Sequence, residues 1–249
     1  MSKMKLLVAT VLMAACTSAS AQFANSKGSG IASTTDTNGW NTVWVQYNPG
    51  SWNYDVKGVD DITFNSFSLG YSRAFSVTNR LPLFVEAGAG LQYYWSSEDT
   101  DIEDGTVTAK THMLSVKVPV DLLYRFQLSN SSIAIMPYAG LNLRYNMSGK
   151  AKYEYSESDD DDFFNAPSLA SSGFDADDDE DESDESDLFD KKDMGSDGVW
   201  KHFQIGWHVG VKAQFGKNFM AGVGYGSDFS ELAKKMKSGE WTIQLGYTF

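Results

Sequence analysis

The chain has 249 residues, one cysteine and a net charge of −13. A single cysteine excludes an intramolecular disulfide framework. Beyond the N-terminus, no run approaches the roughly 18 consecutive apolar residues that a membrane-spanning helix requires. The acidity is local. Between Lys150 and Gly198 there are 19 acidic and 4 basic residues, a net charge of −15, so the rest of the chain has a net charge of +2.

The N-terminal residues 1–21 have the pattern of a secretory signal peptide. A lysine-containing start precedes an apolar stretch, and the small residues before Gln22 fit an A-x-A cleavage site. We expect cleavage after Ala21, which would remove the only cysteine. A buried N-terminal helix remains an alternative, as does lipoprotein processing at Cys16, although Met13 fits a lipobox poorly. Residues 22–39 are small and polar and predict a flexible lead.

From residue 40 onward, eight segments alternate large apolar residues with small or polar ones. In "HMLSVKVPVDLLYRF", even-numbered residues such as Val116 and Val118 share one face, and Ser115 and Lys117 share the other. Alternation of this length exceeds the five or six residues of an average globular strand, and it matches the roughly 9–11 residues of a tilted membrane strand. A soluble β-sandwich or lipocalin-type barrel also predicts alternation, but a face rich in Gly and Ser suits a cramped interior better than a solvated exterior.

Short and long connections alternate between these segments. The short ones are "SVTNR", "LSNSS" and "GKN", and the long ones are residues 49–61, 96–110, 148–198 and 226–239. Short periplasmic turns and long extracellular loops are typical of outer-membrane barrels, and an even strand count places both termini in the periplasm. Aromatic residues near the strand ends fit the girdles at the membrane interfaces. The last strand is expected to pair with the first, near residues 43–47, because an unpaired edge in hydrocarbon is prohibitive.

The stretches "VKVPVDLLYRF" and "PYAGLNLRY" and the closing "LGYTF" resemble the outer-membrane β-barrel domain family, the porin-like and OmpA-like small barrels of Gram-negative bacteria. The resemblance implies an all-β fold: an eight-stranded antiparallel transmembrane β-barrel over residues 40–249, in the bacterial outer membrane and in contact with its lipid. It also implies that the barrel-assembly machinery reads the final strand, through Trp241, Gly246, Tyr247 and Phe249. Unlike OmpA-type relatives, the chain shows no following peptidoglycan-binding domain, so a cell-wall anchor is not expected.

Charged residues on the inward face form the candidate site. They are Glu86, Lys117, Asp121, Arg125, Arg144, His208 and Lys212. Charges in a barrel of low dielectric are costly unless they are paired. One interpretation is a selectivity lining or binding site. The preferred interpretation is a mutually paired network that fills the lumen, because about eight strands leave space only for side chains.

Residues 148–198 predict a long, acidic and disordered extracellular loop. Weak capture of Ca²⁺ and binding of a basic surface partner are alternative roles for such a loop, but the EF-hand pattern is absent, so no metal site is predicted. No cofactor is expected, and the acidic loop would repel nucleic acid.

An enzymatic barrel would need a nucleophile, a base and an orienting group close together. The three histidines, His112, His202 and His208, have no evident partner in the sequence, so no catalytic residues are expected. The sequence therefore predicts a structural or surface-interaction barrel with a plugged lumen. A small-solute channel is the alternative, and a lipid-modifying barrel enzyme is a second, weaker one.

Overall fold

The computed structural model describes residues 39–55, 61–78, 81–102, 105–128, 132–157 and 185–249. The predicted signal peptide, the predicted lead up to residue 38 and residues 158–184 of the acidic region lie outside the described residues. In the described part of the chain, no helix is long and apolar enough to cross a membrane.

The described residues form ten β-strands and one short helical segment. The strands are β1 (Trp40–Tyr54), β2 (Ile62–Ser76), β3 (Leu83–Ile102), β4 (Gly105–Tyr124), β5 (Phe126–Gln127), β6 (Ile133–Glu157), β7 (Glu185–Asp187), β8 (Phe203–Phe215), β9 (Phe219–Asp228) and β10 (Met236–Thr248). The helical segment α1 (Lys191–Gly198) is capped by Asp190, whose side chain accepts from the Lys192 N–H, and it is interrupted at Gly195, where φ is 68°.

Eight of these strands close into an antiparallel ring. Its order is β1, β2, β3, β4, β6, β8, β9 and β10, and β10 pairs again with β1. In the closing pair, Val43 lies opposite Tyr247 and Tyr47 lies opposite Ile243. The prediction that the last strand pairs with the first is therefore confirmed, as is the eight-stranded antiparallel barrel. The two-residue β5 pairs with the start of β6, and β7 pairs with its outer part.

The period-two pattern assigns the two faces of the wall. Leu69 and Leu245 point outward and are 54% and 60% exposed, whereas their neighbours Ser68 and Gln244 point into the lumen and are buried. Ring closure gives each of these strands a hydrogen-bonded neighbour on both sides, which is the condition for crossing hydrocarbon with strands. The outward apolar face is thus the surface that lipid covers.

Glycines on the lumen face make room for large side chains. Gly70 and Gly90 flank the buried indole of Trp44, and a Cβ atom at either glycine would collide with that ring. The small residues of the inward face are therefore complementary in shape to the aromatic residues that fill the lumen, as expected for a packed interior.

The connections differ in extent from the sequence prediction. The prediction of a long link at residues 96–110 is wrong, because β3 runs to Ile102 and β4 begins at Gly105. Thr and Val in this stretch favour an extended backbone, and Thr108 donates a hydrogen bond across the hairpin to Asp99 over 2.8 Å. The links at 49–61 and 226–239 are also shorter than predicted, since β1, β9 and β10 continue into them.

The acidic range 148–198 contains secondary structure at both of its ends. Strand β6 continues to Glu157, and β7 and α1 lie at the far end of the range. The prediction of one disordered loop over 148–198 is corrected at these boundaries, because Leu188 anchors the returning chain with a side chain that is only 1% exposed. Residues 158–184 lie outside the described part of the chain.

Two apolar clusters fill opposite ends of the lumen. We call the end that carries Trp40 and Thr248 the periplasmic end, following the sequence prediction. The extracellular cluster consists of Trp52, Phe64, Tyr94, Met113, Ala151, Leu188, Trp200, Leu232, Ala233 and Met236. The periplasmic cluster consists of Ala74, Phe84, Leu123, Met136, Tyr138 and Met220. Burial of large apolar side chains at both ends contributes to stability and excludes water.

Replacing Leu188 with Ala should loosen the segment that closes the extracellular end. Truncating a fully buried leucine costs about 2–5 kcal/mol of stability. The contacts of Leu188 stabilise the segment of residues 185–202, whereas the ring of eight strands does not depend on them. We expect faster proteolysis within residues 185–202, while the unboiled protein keeps its anomalous migration on gels. Lys191→Ala, at an exposed position of the same segment, is the control. Equal cleavage of both variants would contradict the anchoring role of Leu188.

Candidate functional site

The candidate site is the polar middle of the lumen, between the two apolar clusters. The alternating strands direct Glu86 from β3, Lys117 and Asp121 from β4, Arg144 from β6 and Lys212 from β8 into the same narrow space. Each of these five residues is no more than 4% exposed. Ionised groups buried to this extent require partners, because desolvation costs several kcal/mol per ion.

The inner ion cluster, nearer the periplasmic end, is formed by Glu86, Asp121, His208 and Lys212. The Lys212 Nζ atom lies 2.8 Å from Glu86 Oε2 and 3.3 Å from Asp121 Oδ2, so one ammonium bridges two carboxylates. His208 Nε2 contacts the other oxygen of Asp121. The Lys212 ammonium also lies 4.8 Å from the centre of the Tyr138 ring, where a cation–π contact adds to its stabilisation.

The outer ion cluster, nearer the extracellular end, is formed by Lys117, Arg144, Asp228 and Glu240. Lys117 Nζ lies 2.9 Å from Glu240 Oε1, and Arg144 Nη2 lies 2.6 Å from Asp228 Oδ2. The second Glu240 oxygen accepts a hydrogen bond of 2.9 Å from the Gln92 amide. Both carboxylates of this cluster are thus matched with a cation inside the barrel.

Asp228 and Glu240 are site residues that the sequence analysis missed. It assigned residues 226–239 to a loop, and Asp228 falls inside that range. The charge of the predicted set indicates that acidic residues are missing from it. The set has four basic residues, Lys117, Arg125, Arg144 and Lys212, but only two acidic ones. Glu240 also continues the inward register of β10, in step with Gln244.

Arg125 lies apart from the strand positions that form the two ion clusters. It follows β4 at the periplasmic end, where its backbone N–H donates to the Pro82 carbonyl over 2.8 Å. Its guanidinium lies over the Trp40 ring, with 5.6 Å between the central carbon and the ring centre. The structure therefore places Arg125 at the periplasmic rim and the other six predicted residues within the ion clusters.

The space left between these side chains is very small. One cavity of about 20 Å³ lies among Glu86, Lys117, Asp121 and Lys212, and another of about 10 Å³ lies between Arg144, Asp228 and Glu240. A cavity needs about 10–15 Å³ to hold a single water molecule. Each cavity therefore has room for about one water, and His208 lines both of them.

Over the described ranges, no group of three or more His, Cys, Asp and Glu side chains is placed to hold a metal ion. The lumen carboxylates are instead occupied by lysine, arginine and histidine side chains.

A known protein family matches most of this chain. The family described as "Outer membrane protein beta-barrel domain" matches residues 41–230. The chain belongs to this family. Membership confirms the resemblance given above and implies a place in the bacterial outer membrane. No curated protein matches the chain.

Solved outer-membrane barrels are among the structures to which this chain is similar. Ail of Yersinia pestis is 14% identical, with 85% of this chain and 99% of Ail covered and a TM-score of 0.44. Neisserial surface protein A is 13% identical, with 84% and 97% covered and a TM-score of 0.41. The N-terminal barrel domain of Pseudomonas aeruginosa OprF is 14% identical, with 85% and 100% covered and a TM-score of 0.31.

Replacing Lys212 with Met should destabilise the barrel strongly, because Glu86 and Asp121 would lose the ammonium that they share. Removing one partner of a buried ion pair costs about 3–5 kcal/mol. The free energy of unfolding, measured by urea titration in lipid vesicles, should fall by this amount. Lys217→Met, in the exposed β8–β9 turn, is the matched control and should change stability by less than about 0.5 kcal/mol. Equal losses in both variants would contradict the bridging role of Lys212.

Proposed function

We propose that this outer-membrane barrel is a structural and surface-interaction protein whose lumen is closed. The observation that carries the proposal is the layering of the lumen. Two clusters of paired charges lie between two clusters of buried apolar side chains. Solute passage would require all four layers to open, and the cavities between them have room for about one water each.

The extracellular end supports a role in surface contact. Strands β3, β4 and β6 have 20, 20 and 25 residues, about twice the length that a tilted strand needs to cross a membrane. Their outer halves form a sheet that projects beyond the shorter strands. There Glu154 accepts hydrogen bonds from Lys110 and Lys152, and the bond from Lys110 is the main cause that lowers the pKa of the Glu154 carboxyl.

The proposal includes the export of the chain and the assembly of the barrel in the outer membrane. Residues 1–21 are a signal peptide that is cleaved after Ala21 during export. The barrel-assembly machinery then recognises the final strand through Trp241, Gly246, Tyr247 and Phe249. The exposure of Tyr247 and Phe249, at 50% and 62%, supports their availability to that machinery and to outer-membrane lipid.

We assign no catalytic activity to the barrel. His112 shares a hydrogen bond of 2.9 Å with the Tyr93 hydroxyl, and His202 Nδ1 lies 2.7 Å from the Asn146 carbonyl oxygen. His208 is held by Asp121 in the closed lumen. These contacts support structural roles for the three imidazoles. The acidic region of residues 150–198 would repel nucleic acid and attract cations weakly.

Planar-bilayer recording of the refolded protein tests the closed lumen. We expect no steady conductance that scales with salt concentration, and a general porin recorded in the same bilayer serves as the positive control. A small-solute channel is the alternative function, and steady, salt-dependent conductance would establish it against our proposal. In that case Lys117→Ala and Arg144→Ala should alter ion selectivity, because their charges would line the open path.

A further inference from the structure

The outer wall of the barrel carries a single charged side chain on its described membrane-crossing strand segments. Taken between the two rims, these segments are residues 40–47, 65–76, 83–95, 112–124, 133–147, 203–215, 219–227 and 241–248. They contain six Asp, Glu, Lys and Arg residues. Five of the six are buried in the lumen, namely Glu86, Lys117, Asp121, Arg144 and Lys212. The sixth, Arg73, points outward, because its neighbours Ser72 and Ala74 face the lumen and are each 1% exposed.

Arg73 lies near the periplasmic end of the outer wall, since β2 ends at Ser76. The rings of Tyr71 and Phe75 are exposed on the same face, one step above and one step below it. The Arg73 guanidinium lies over the Phe75 ring, with 5.3 Å between its central carbon and the ring centre. Exposed aromatic rings mark the membrane interface of a barrel, and an arginine on the lipid face costs least there. The guanidinium is therefore at the depth of the lipid headgroups.

The charge around Arg73 favours an anionic partner. Among the described residues, every ion pair is formed by a cation other than Arg73. Residues 73–84, 122–134 and 214–220, which form the periplasmic strand ends and turns, have four basic side chains and no acidic one. The terminal carboxylate of Phe249 lies one strand further from Arg73, beyond Asn41, and offsets one of these four charges. This end of the barrel therefore attracts phosphate, and in these ranges a zwitterionic headgroup meets no acidic side chain for its ammonium.

Asn41 supplies a second hydrogen-bond donor beside Arg73. The two residues lie opposite each other in the β1–β2 pair and share the outward face. The Tyr71 hydroxyl donates to Asn41 Oδ1 over 2.6 Å, which directs the Asn41 amide nitrogen away from Tyr71. The bond of that nitrogen to the Phe249 carbonyl is long, at 3.4 Å. Because the planar fork of a guanidinium matches two oxygens of a phosphate, Arg73 and Asn41 together suit a group that only accepts hydrogen bonds.

We propose that Arg73, Asn41, Tyr71 and Phe75 form a binding site, the Arg73 site, for the phosphodiester group of an anionic phospholipid in the periplasmic leaflet. The guanidinium binds two phosphate oxygens, and the Asn41 amide donates to the same group. The acyl chains lie along exposed apolar residues nearer the membrane centre, of which Leu69 is the next on β2. The proposal rests on the membrane position and orientation given to the barrel above, and it goes beyond the closed-lumen function.

The test measures lipid binding to the full barrel, refolded in uncharged detergent, by native mass spectrometry. Phosphatidylglycerol and phosphatidylcholine with the same acyl chains are titrated separately. The barrel should retain one phosphatidylglycerol with a dissociation constant at least about tenfold below that of phosphatidylcholine, because the choline headgroup brings a cation next to the basic side chains. Glycerol 3-phosphate at the same concentration should not displace the lipid, because it lacks the acyl chains that cover apolar surface.

Variants of the barrel locate the binding site. Arg73→Gln should raise the dissociation constant for phosphatidylglycerol by about tenfold, and Arg73→Lys, which keeps the charge but loses the planar fork, by about threefold. Lys217→Gln removes the same charge from the exposed β8–β9 turn at the same end of the barrel, and it should raise the constant by less than about twofold. Gel migration without boiling verifies that each variant is folded.

Three results would overturn the proposal. Equal binding of the two lipids would assign retention to the acyl chains alone. Equal effects of Arg73→Gln and Lys217→Gln would assign it to the overall positive charge of the periplasmic end. Displacement by glycerol 3-phosphate would make the site one for soluble phosphates. None of these results bears on bilayer conductance, so failure of this proposal is distinguishable from failure of the closed-lumen function.

Discussion

The narrow lumen of an eight-stranded barrel imposes one constraint on which the rest of this structure depends. Strands that cross hydrocarbon turn their large apolar residues outward, so their polar residues are confined to an interior with almost no water. An ionised side chain in that interior must be matched with an opposite charge or a hydrogen-bonding group. Lys117, Arg144 and Lys212 each meet a carboxylate within 3 Å, which satisfies this constraint.

The same ion pairs both stabilise the barrel and close its lumen. Each ion pair joins strands that are not neighbours in the ring. Lys212 of β8 reaches Glu86 of β3, and Lys117 of β4 reaches Glu240 of β10. These links cross the lumen, so they hold opposite walls together and obstruct the path between the two ends. The apolar clusters above and below exclude water, which strengthens the attraction between the paired charges.

Sequence periodicity was sufficient for the membrane-crossing part of the fold. The wall must alternate, so residue parity alone places Glu86, Lys117 and Arg144 inside. Periodicity was insufficient for the strand segments that extend beyond the membrane. The Asp- and Thr-rich outer parts of β3 and β4 resemble a loop in sequence, because both of their faces meet water and the apolar alternation is lost. Asp228 was missed because it lies in residues 226–239, which the sequence also predicts to be a loop. Leu188 and Phe189 are two apolar residues in a strongly acidic stretch, and only the tertiary structure reveals the space that Leu188 fills.

A double-mutant cycle on Arg144 and Asp228 tests the pairing constraint most directly. Each single replacement, Arg144→Met or Asp228→Leu, leaves one buried charge without its partner. The two together remove both charges from the lumen. We expect each single variant to lose about 3–5 kcal/mol of unfolding free energy in lipid vesicles, and the double variant to lie within about 1 kcal/mol of the wild type. Additive losses in the double variant would contradict the account, because they would mean that the two charges are stabilised independently of each other.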